Sequence, residues 1–152
     1  KEGMATIVPE DVIPPGRVAG WFLEQIKKYR PAGIASDLYR ISYLSDEFKE
    51  CGFDDLLRAR SGTKTHSELE PFVNEMFANG RIKWGKDFMM NWYTWNVFKN
   101  RDGKGNLTYE KQEPKLRKTD GFMALLHALQ FRDKLAAAQP VIIRRKLRSY
   151  TN

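Results

Sequence analysis

Apolar residues recur at helical spacing in three segments of the first half of the chain. Val18, Phe22 and Ile26 lie four residues apart and predict a helix over residues 17–29. The same pattern predicts a second helix over residues 40–51, which Gly52 would end. A third predicted helix begins at Thr65, with Glu68 in a capping box, and has the apolar face Leu69, Phe72, Val73, Met76 and Phe77.

Short runs between these helices have the composition of strands. Residues 32–37 and 56–60 are predicted strands, the first buried on both faces because its apolar residues do not alternate with polar ones. "RIKWG" at residues 81–85 is a further short strand. Strand and helix therefore alternate, which favours a parallel sheet flanked by helices.

The second half adds a hairpin and a closing helix. The segment 87–96 is rich in aromatic residues and predicted to be helical in part, and two β-type runs surround the turn signal "RDGKGN". The last helix is predicted over residues 119–138. We interpret residues 1–138 as one α/β domain and residues 139–152 as a basic tail.

Composition and charge narrow the range of partners. The chain has 152 residues, is 41% hydrophobic and carries a formal net charge of +7. Such an excess suits a polyanion, most simply nucleic acid, although many basic domains bind none. A single cysteine and two histidines exclude an internal disulfide and a Cys/His zinc site, which fits a reducing, intracellular setting. No apolar run is long enough to predict a membrane span.

Two aspartates are the best candidates for metal chemistry. Asp37 ends a predicted buried strand, at the edge where open α/β sheets bind ligands. Asp120 lies in the first turn of the last helix, after the cations Lys115, Arg117 and Lys118. Two nearby carboxylates suit Mg²⁺ or Mn²⁺ and two-metal phosphodiester hydrolysis. The alternative is that Asp120 is an ordinary helix-start acid and that Asp37 caps the next helix.

Other constellations are weaker. Ser61, His66 and Asp87 contain the residue types of a triad, but the sequence indicates no strand–turn–helix elbow around the serine. His66 is expected in the first turn of its helix and His127 in a core. The aromatic residues around the third helix and the hairpin suit either a core or base stacking: Trp84, Trp92, Tyr93 and Trp95.

Three stretches together resemble the carboxy-terminal nuclease domain of tailed-phage terminase large subunits. They are "IASDLYRISYLSDEFKECGF", "RSGTKTHSELEPFVNEMFANGRIKWG" and "DFMMNWYTWNVFKNRDGKGNLTYEKQEPKLRKTDGFMALLHAL". In that family an acidic strand end is followed by a Trp-and-Asn stretch, a hairpin with an Asp-x-x-Gly-Asn turn and a Lys-x-Asp-Gly helix start. All four features occur here in that order, and the resemblance covers about residues 4–131.

The resemblance implies an RNase H-like fold: a mixed sheet flanked by helices, with a β-hairpin insertion. It implies a metal-dependent endonuclease that cuts double-stranded concatemeric DNA during genome packaging in the host cell cytoplasm. Asp37 then matches the family's second catalytic acid and Asp120 its third, both as ligands of Mg²⁺ or Mn²⁺. The implied partners are the terminase small subunit and the portal protein.

One departure from the family pattern leaves a second function open. The family's first catalytic aspartate lies on an upstream strand, and we expect this chain to lack the first strands of the sheet and to cut poorly alone. No Walker A motif of the packaging ATPase occurs. The alternative is a non-catalytic DNA-binding or assembly module, a phage remnant. Under either function the candidate DNA contacts are Arg58, Arg60, Lys64, Lys99, Arg101, Lys104, Lys115, Arg117 and Lys118.

Overall fold

The computed structural model describes residues 8–9, 11–37, 41–53 and 56–136. They divide into two compact units, which are described separately. The first unit, here the α1–β2 unit, contains the described residues up to Ala59 and those from Phe131 onward. The second, the α3–α5 unit, is Arg60–Gln130. The short run "MATIVP" at residues 4–9, whose composition is of β-type, lies outside the described residues except for Val8 and Pro9. The basic tail also lies outside them.

The α1–β2 unit pairs two helices with a small parallel sheet. Its elements are α1 (Pro15–Tyr29), β1 (Ile34–Asp37), α2 (Ile41–Glu50), β2 (Leu56–Ala59) and, after the second unit, α6 (Arg132–Leu135). β1 and β2 are parallel, with Ile34 opposite Leu56 and Asp37 opposite Ala59. The predicted order strand–helix–parallel strand is therefore confirmed for these two strands.

The core of this unit is built on the inner faces of the two helices. Leu23 and Ile26 of α1 and Phe48 of α2 are almost fully buried and pack with Ile34 of β1. Ile26 of the predicted stripe of α1 is buried, whereas Phe22 is only partly buried and its neighbour Leu23 is fully buried. The chain leaves α2 through Gly52, whose positive φ of 83° suits glycine, as predicted.

The α3–α5 unit packs three helices around a hairpin. Its elements are α3 (Thr63–Ala78), α4 (Phe88–Trp95), β3 (Val97–Arg101), β4 (Leu107–Lys111) and α5 (Asp120–Leu129). β3 and β4 are antiparallel, as the turn signal predicted. Its core consists of Leu69, Val73, Leu107, Tyr109, Phe122 and Leu126.

Three predictions about these elements are wrong. There is no capping box at Thr65: α3 already begins at Thr63, and the His66 N–H bonds the carbonyl of Gly62, so Thr65 lies inside the helix. "RIKWG" is not a strand: residues 81–84 are irregular and lie between turns at residues 79–80 and 85–86, where Gly80 and Gly85 have positive φ. The closing helix is interrupted after Leu129, and the chain resumes as α6.

Within the described residues the strands form two separate two-stranded sheets. The α/β class predicted from the sequence is confirmed. The single mixed sheet of the RNase H-like prediction is not seen in this part of the chain, so that finer prediction is not borne out by the strand pairing.

Candidate functional site

Asp120 is the first residue of α5 and is exposed. The chain before it is fixed by Asn96, whose side chain is buried between α4 and β3. Asn96 Nδ2 donates to the carbonyl of Lys118 at 2.9 Å, and Asn96 Oδ1 accepts from Arg117 Nη1 at 3.4 Å. A buried amide with both ends bonded is costly to move, because each lost bond leaves a desolvated polar atom. The buried Asn96 side chain therefore fixes the backbone that leads into Asp120.

Gly121 lets α5 approach α4 closely. A Cβ atom at this position would lie 2.5 Å from Tyr93 Cδ2 and 2.9 Å from Met90 Sδ, well inside van der Waals contact. The structure gives Gly121 a packing role between two helices.

Thr119 precedes Asp120 and is almost fully buried. Among the described residues its hydroxyl has no hydrogen-bond partner, and it does not cap the helix with its side chain. The cations before it lie outward: Lys115, Arg117 and Lys118 are all exposed. Here a basic surface segment leads directly into a carboxylate at a helix start.

Asp37 is the last residue of β1 and is exposed at the carboxyl end of the parallel pair, as predicted. It belongs to the α1–β2 unit, whereas Asp120 belongs to the α3–α5 unit. Among the described residues, no group of three or more His, Cys, Asp or Glu side chains is placed to hold a metal ion. The two carboxylates have the oxygen chemistry that Mg²⁺ and Mn²⁺ prefer, but they supply only part of a ligand set.

Two of the predicted DNA contacts are engaged by an acid that the sequence analysis missed. Glu70 on α3 is buried, with Lys99 Nζ 3.2 Å from one carboxylate oxygen and Arg101 bonding the other. Burial acts to raise the pKa of Glu70, but the hydrogen bonds from Lys99 and Arg101 and their charges outweigh it and lower that pKa below 4.5. Glu70 lies among the buried apolar residues of α3. The one sign of this role in the sequence is an acidic residue next to the predicted apolar face.

The remaining predicted DNA contacts are exposed cations in varied settings. Lys64 lies 4.0 Å from Glu68 one helical turn on, a weak surface pair. Lys104 lies in the hairpin turn that Asp102 organises by accepting from the Lys104 and Asn106 N–H groups. Arg58 belongs to β2 in the α1–β2 unit, and Arg60 opens the α3–α5 unit.

A serine–histidine pair joins the start of α3 to the end of α5. Ser61 Oγ lies 3.0 Å from His127 Nε2, and the Gln130 side chain bonds both the N–H and the carbonyl of Arg60. Ser61 lies in the connection between β2 and α3, and its backbone does not have the positive φ of a strained turn. Its partner is His127, and not His66.

The other members of the suggested triad have structural roles. His66 is buried in the first turn of α3, as predicted, and its Nδ1 accepts the Tyr109 N–H at 3.1 Å. Burial, and secondarily the charge of His127, lower the pKa of His66. Asp87 caps α4 by accepting the Met90 N–H at 2.7 Å. These contacts account for His66 and Asp87 without catalysis.

Comparison with known proteins identifies one solved structure with a similar fold. No family model and no curated protein matches the sequence. The crystal structure of the HK97 bacteriophage large terminase does match, with a TM-score of 0.69 and 19% sequence identity over 80% of this chain.

The chain shares the fold of part of a phage large terminase. The resemblance to terminase large subunits found in the sequence is thus confirmed at the level of fold. The match covers 26% of the HK97 protein, so the chain spans about a quarter of that terminase. In the described part of the chain, no helix of this terminase-like fold has the length and apolar character needed to cross a bilayer.

Proposed function

We propose that the chain is the metal-dependent endonuclease domain of a phage terminase large subunit, cutting double-stranded DNA during genome packaging. The observation that carries this proposal is the terminase fold over 80% of the chain. The local arrangement supports it: Asp120 is exposed at a helix start and follows an exposed basic segment that suits a phosphate backbone.

In this proposal Asp37 and Asp120 are ligands of Mg²⁺ or Mn²⁺. The metal would supply a water nucleophile at neutral pH and charge stabilisation at the leaving oxygen. The protein's own part is positional: Asn96 and Gly121 hold Asp120, and Lys115 and Lys118 attract the DNA backbone. Further oxygen ligands would have to come from substrate phosphates, from water or from another acid.

The first test is nicking of supercoiled plasmid in Mn²⁺ by the chain, by a form extended upstream and by Asp120→Asn in each. We expect Asp120→Asn to lower cleavage by more than about 100-fold, because even residues behind a metal ligand change activity by that order. The matched control is Asp133→Asn, an exposed acid in the first turn of α6 that the proposal does not use. Equal loss in both variants, or full activity in Asp120→Asn, contradicts the proposal.

A structure with Mn²⁺ bound tests the ligand pair independently. Two metals of such a site lie about 4 Å apart. If the Asp37 and Asp120 carboxylates lie more than about 10 Å apart in it, no shared metal pair joins them.

The second candidate function is a non-catalytic DNA-binding or assembly module. It is favoured by the lack, among the described residues, of any group of three or more His, Cys, Asp or Glu side chains placed to hold a metal ion. It predicts DNA binding that is sensitive to salt and unchanged in Asp120→Asn, with no cutting at any Mn²⁺ concentration. Under both functions the proposed setting is the host cytoplasm, with the terminase small subunit and the portal as partners of a full motor.

A further inference from the structure

Trp95 is a large aromatic side chain left on the surface of the α3–α5 unit. It is the last residue of α4 and is 72% exposed, whereas Trp84, Trp92 and Tyr93 are half-buried. Trp95 is not among the core residues of this unit or the side chains that pack on them. The sequence suited these four aromatic residues to either core packing or base stacking. In the structure Trp84, Trp92 and Tyr93 are partly packed, and Trp95 is exposed enough to stack on a base.

Hydrogen bonds place Trp95 beside the basic segment, here residues 115–118. The Trp95 carbonyl accepts from Gln112 Nε2 at 3.4 Å, and the next residue, Asn96, bonds the Lys118 carbonyl and the Arg117 guanidinium. The backbone of Trp95 is therefore one residue from Asn96, which anchors the basic segment.

The basic segment, "KLRK", combines three cations with an exposed apolar side chain. Lys115, Arg117 and Lys118 are exposed, and Leu116 between them is 74% exposed. No acid lies within residues 115–118, and the flanking acids are Glu113 and Asp120. Cations beside apolar and aromatic side chains suit a polyanion that also has flat, stackable rings.

A nucleic-acid strand with unpaired bases has both features. Its phosphates pair with Lys and Arg, and its bases stack on aromatic rings, a contact that paired bases inside a duplex cannot make. Charge complementarity argues against an acidic or neutral apolar protein surface as the first choice, because it would leave either the indole or the cations unmatched.

We infer that Trp95 and the basic segment form a binding site for an unpaired DNA strand, with the indole stacked on a base and the cations on the flanking phosphates. The inference rests on the proposed function in taking DNA as the substrate. It extends that function by adding a locally unpaired strand to what the domain recognises.

The test is binding in EDTA of two labelled DNA probes, an oligothymidylate of about 16 nucleotides and a duplex of equal length. Trp95→Ala should weaken binding of the oligothymidylate about tenfold, which corresponds to about 1.4 kcal/mol and lies within the range for one stacked base. Trp95→Phe should retain most of the affinity, because a phenyl ring still stacks. Binding of the duplex should not change.

Phe88→Ala is the matched control. Phe88 is also a 69% exposed aromatic residue of α4, but it lies at the other end of the helix. It should bind both probes as the unsubstituted chain does. Circular dichroism of each variant shows whether the fold is kept.

Three results overturn the inference. Unchanged oligothymidylate binding by Trp95→Ala leaves the indole without this role and makes a protein partner the better occupant. Equal weakening for both probes means that the indole does not distinguish unpaired DNA. Equal weakening by Phe88→Ala means that any exposed aromatic residue produces the effect.

The outcome is separable from that of the proposed nuclease function. Binding in EDTA needs no cutting, so a Trp95 effect together with absent plasmid cleavage keeps the inference and removes the nuclease. Cleavage that depends on Asp120, together with normal binding by Trp95→Ala, keeps the nuclease function and removes the inference about Trp95.

Discussion

Gly121 shows how a single hydrogen atom in place of a side chain can position a site. The residue follows Asp120 directly, and the space that a methyl group would need is filled by the ring of Tyr93 and the sulfur of Met90. The helices α4 and α5 can therefore approach only with glycine here. Nothing in the sequence pattern indicates which helix lies against this glycine.

We predict that Gly121→Ala destabilises the protein by about 1–3 kcal/mol, the usual cost of forcing extra volume into a packed contact. In an open helix the same change would stabilise slightly, so the sign itself tests the contact. The measurement is urea unfolding at neutral pH. The control is Gly103→Ala in the hairpin turn, where an added Cβ meets nothing within 4 Å. Equal effects at both positions would contradict the packing account.

A second lesson at this scale concerns polar residues at core positions. Glu70 and Asn96 are both buried, and each is satisfied by partners distant in the sequence: Lys99 and Arg101 for Glu70, and Arg117 and Lys118 for Asn96. The sequence shows that a polar residue interrupts an apolar face. It does not show which of many cations will reach it.

At the scale of elements, the hairpin is attached to α3 by side chains of the helix. His66 Nδ1 accepts the Tyr109 N–H of β4, and Ser67 Oγ accepts the Leu107 N–H at 2.8 Å. Both bonds satisfy backbone donors of β4 on the side away from β3. The attachment therefore requires His66 to be unprotonated at Nδ1.

This requirement predicts a pH dependence of stability. In the folded protein the pKa of His66 lies below its ordinary value of 6.5. Near that pH the folded protein therefore binds fewer protons than the unfolded chain. The stability that His66 contributes is present above pH 6.5 and is lost as the pH falls below it. The free energy of unfolding should fall by up to about 1.4 kcal/mol per pH unit from this residue. Urea unfolding between about pH 5 and pH 7 measures it.

His66→Asn separates the titration from the hydrogen bond. The asparagine Oδ1 can still accept the Tyr109 N–H but does not titrate, so this variant should lose that part of the pH slope. His127→Asn is the companion control, because the charge of His127 is the smaller cause of the shift. An unchanged slope in His66→Asn would assign the pH dependence to other groups.

Element boundaries were predictable only where local signals existed. α1, α2 and the hairpin follow apolar spacing and turn residues. The interruption after Leu129 follows from Gln130, whose side chain pairs with the Arg60 backbone at 2.9 and 2.8 Å. No glycine or proline indicates it, so periodicity alone extends the helix through it.

At the scale of the whole molecule, the cations behind the net charge of +7 are not all equally free to contact a polyanion. Lys99 and Arg101 share Glu70, and Lys64 lies near Glu68, while Lys115 and Lys118 appear in none of the ion pairs between described residues. A phosphate backbone should therefore meet mainly the basic segment.

We predict that replacing Lys115 and Lys118 together by Ala lowers the slope of log K against log salt concentration for duplex DNA by about 1.8, since each phosphate contact contributes about 0.9. Fluorescence anisotropy at several salt concentrations measures the slope. Replacing Lys83 and Lys86, which are exposed cations of the same unit, removes the same charge from another place. If both double variants lower the slope equally, net charge and not the basic segment determines binding.

The sequence by itself predicted most of the local structure and the terminase-like fold. Apolar period, turn residues and the order of four motifs depend on near neighbours in the chain, and they predicted an α/β protein with a terminase-like fold. The tertiary structure decided the polar partners and the close contacts. Glu70, Asn96, His66 and Gly121 acquire their roles from groups 21 to 43 residues away. Those pairings depend on which surfaces the folded chain brings together, and local propensity does not contain that information.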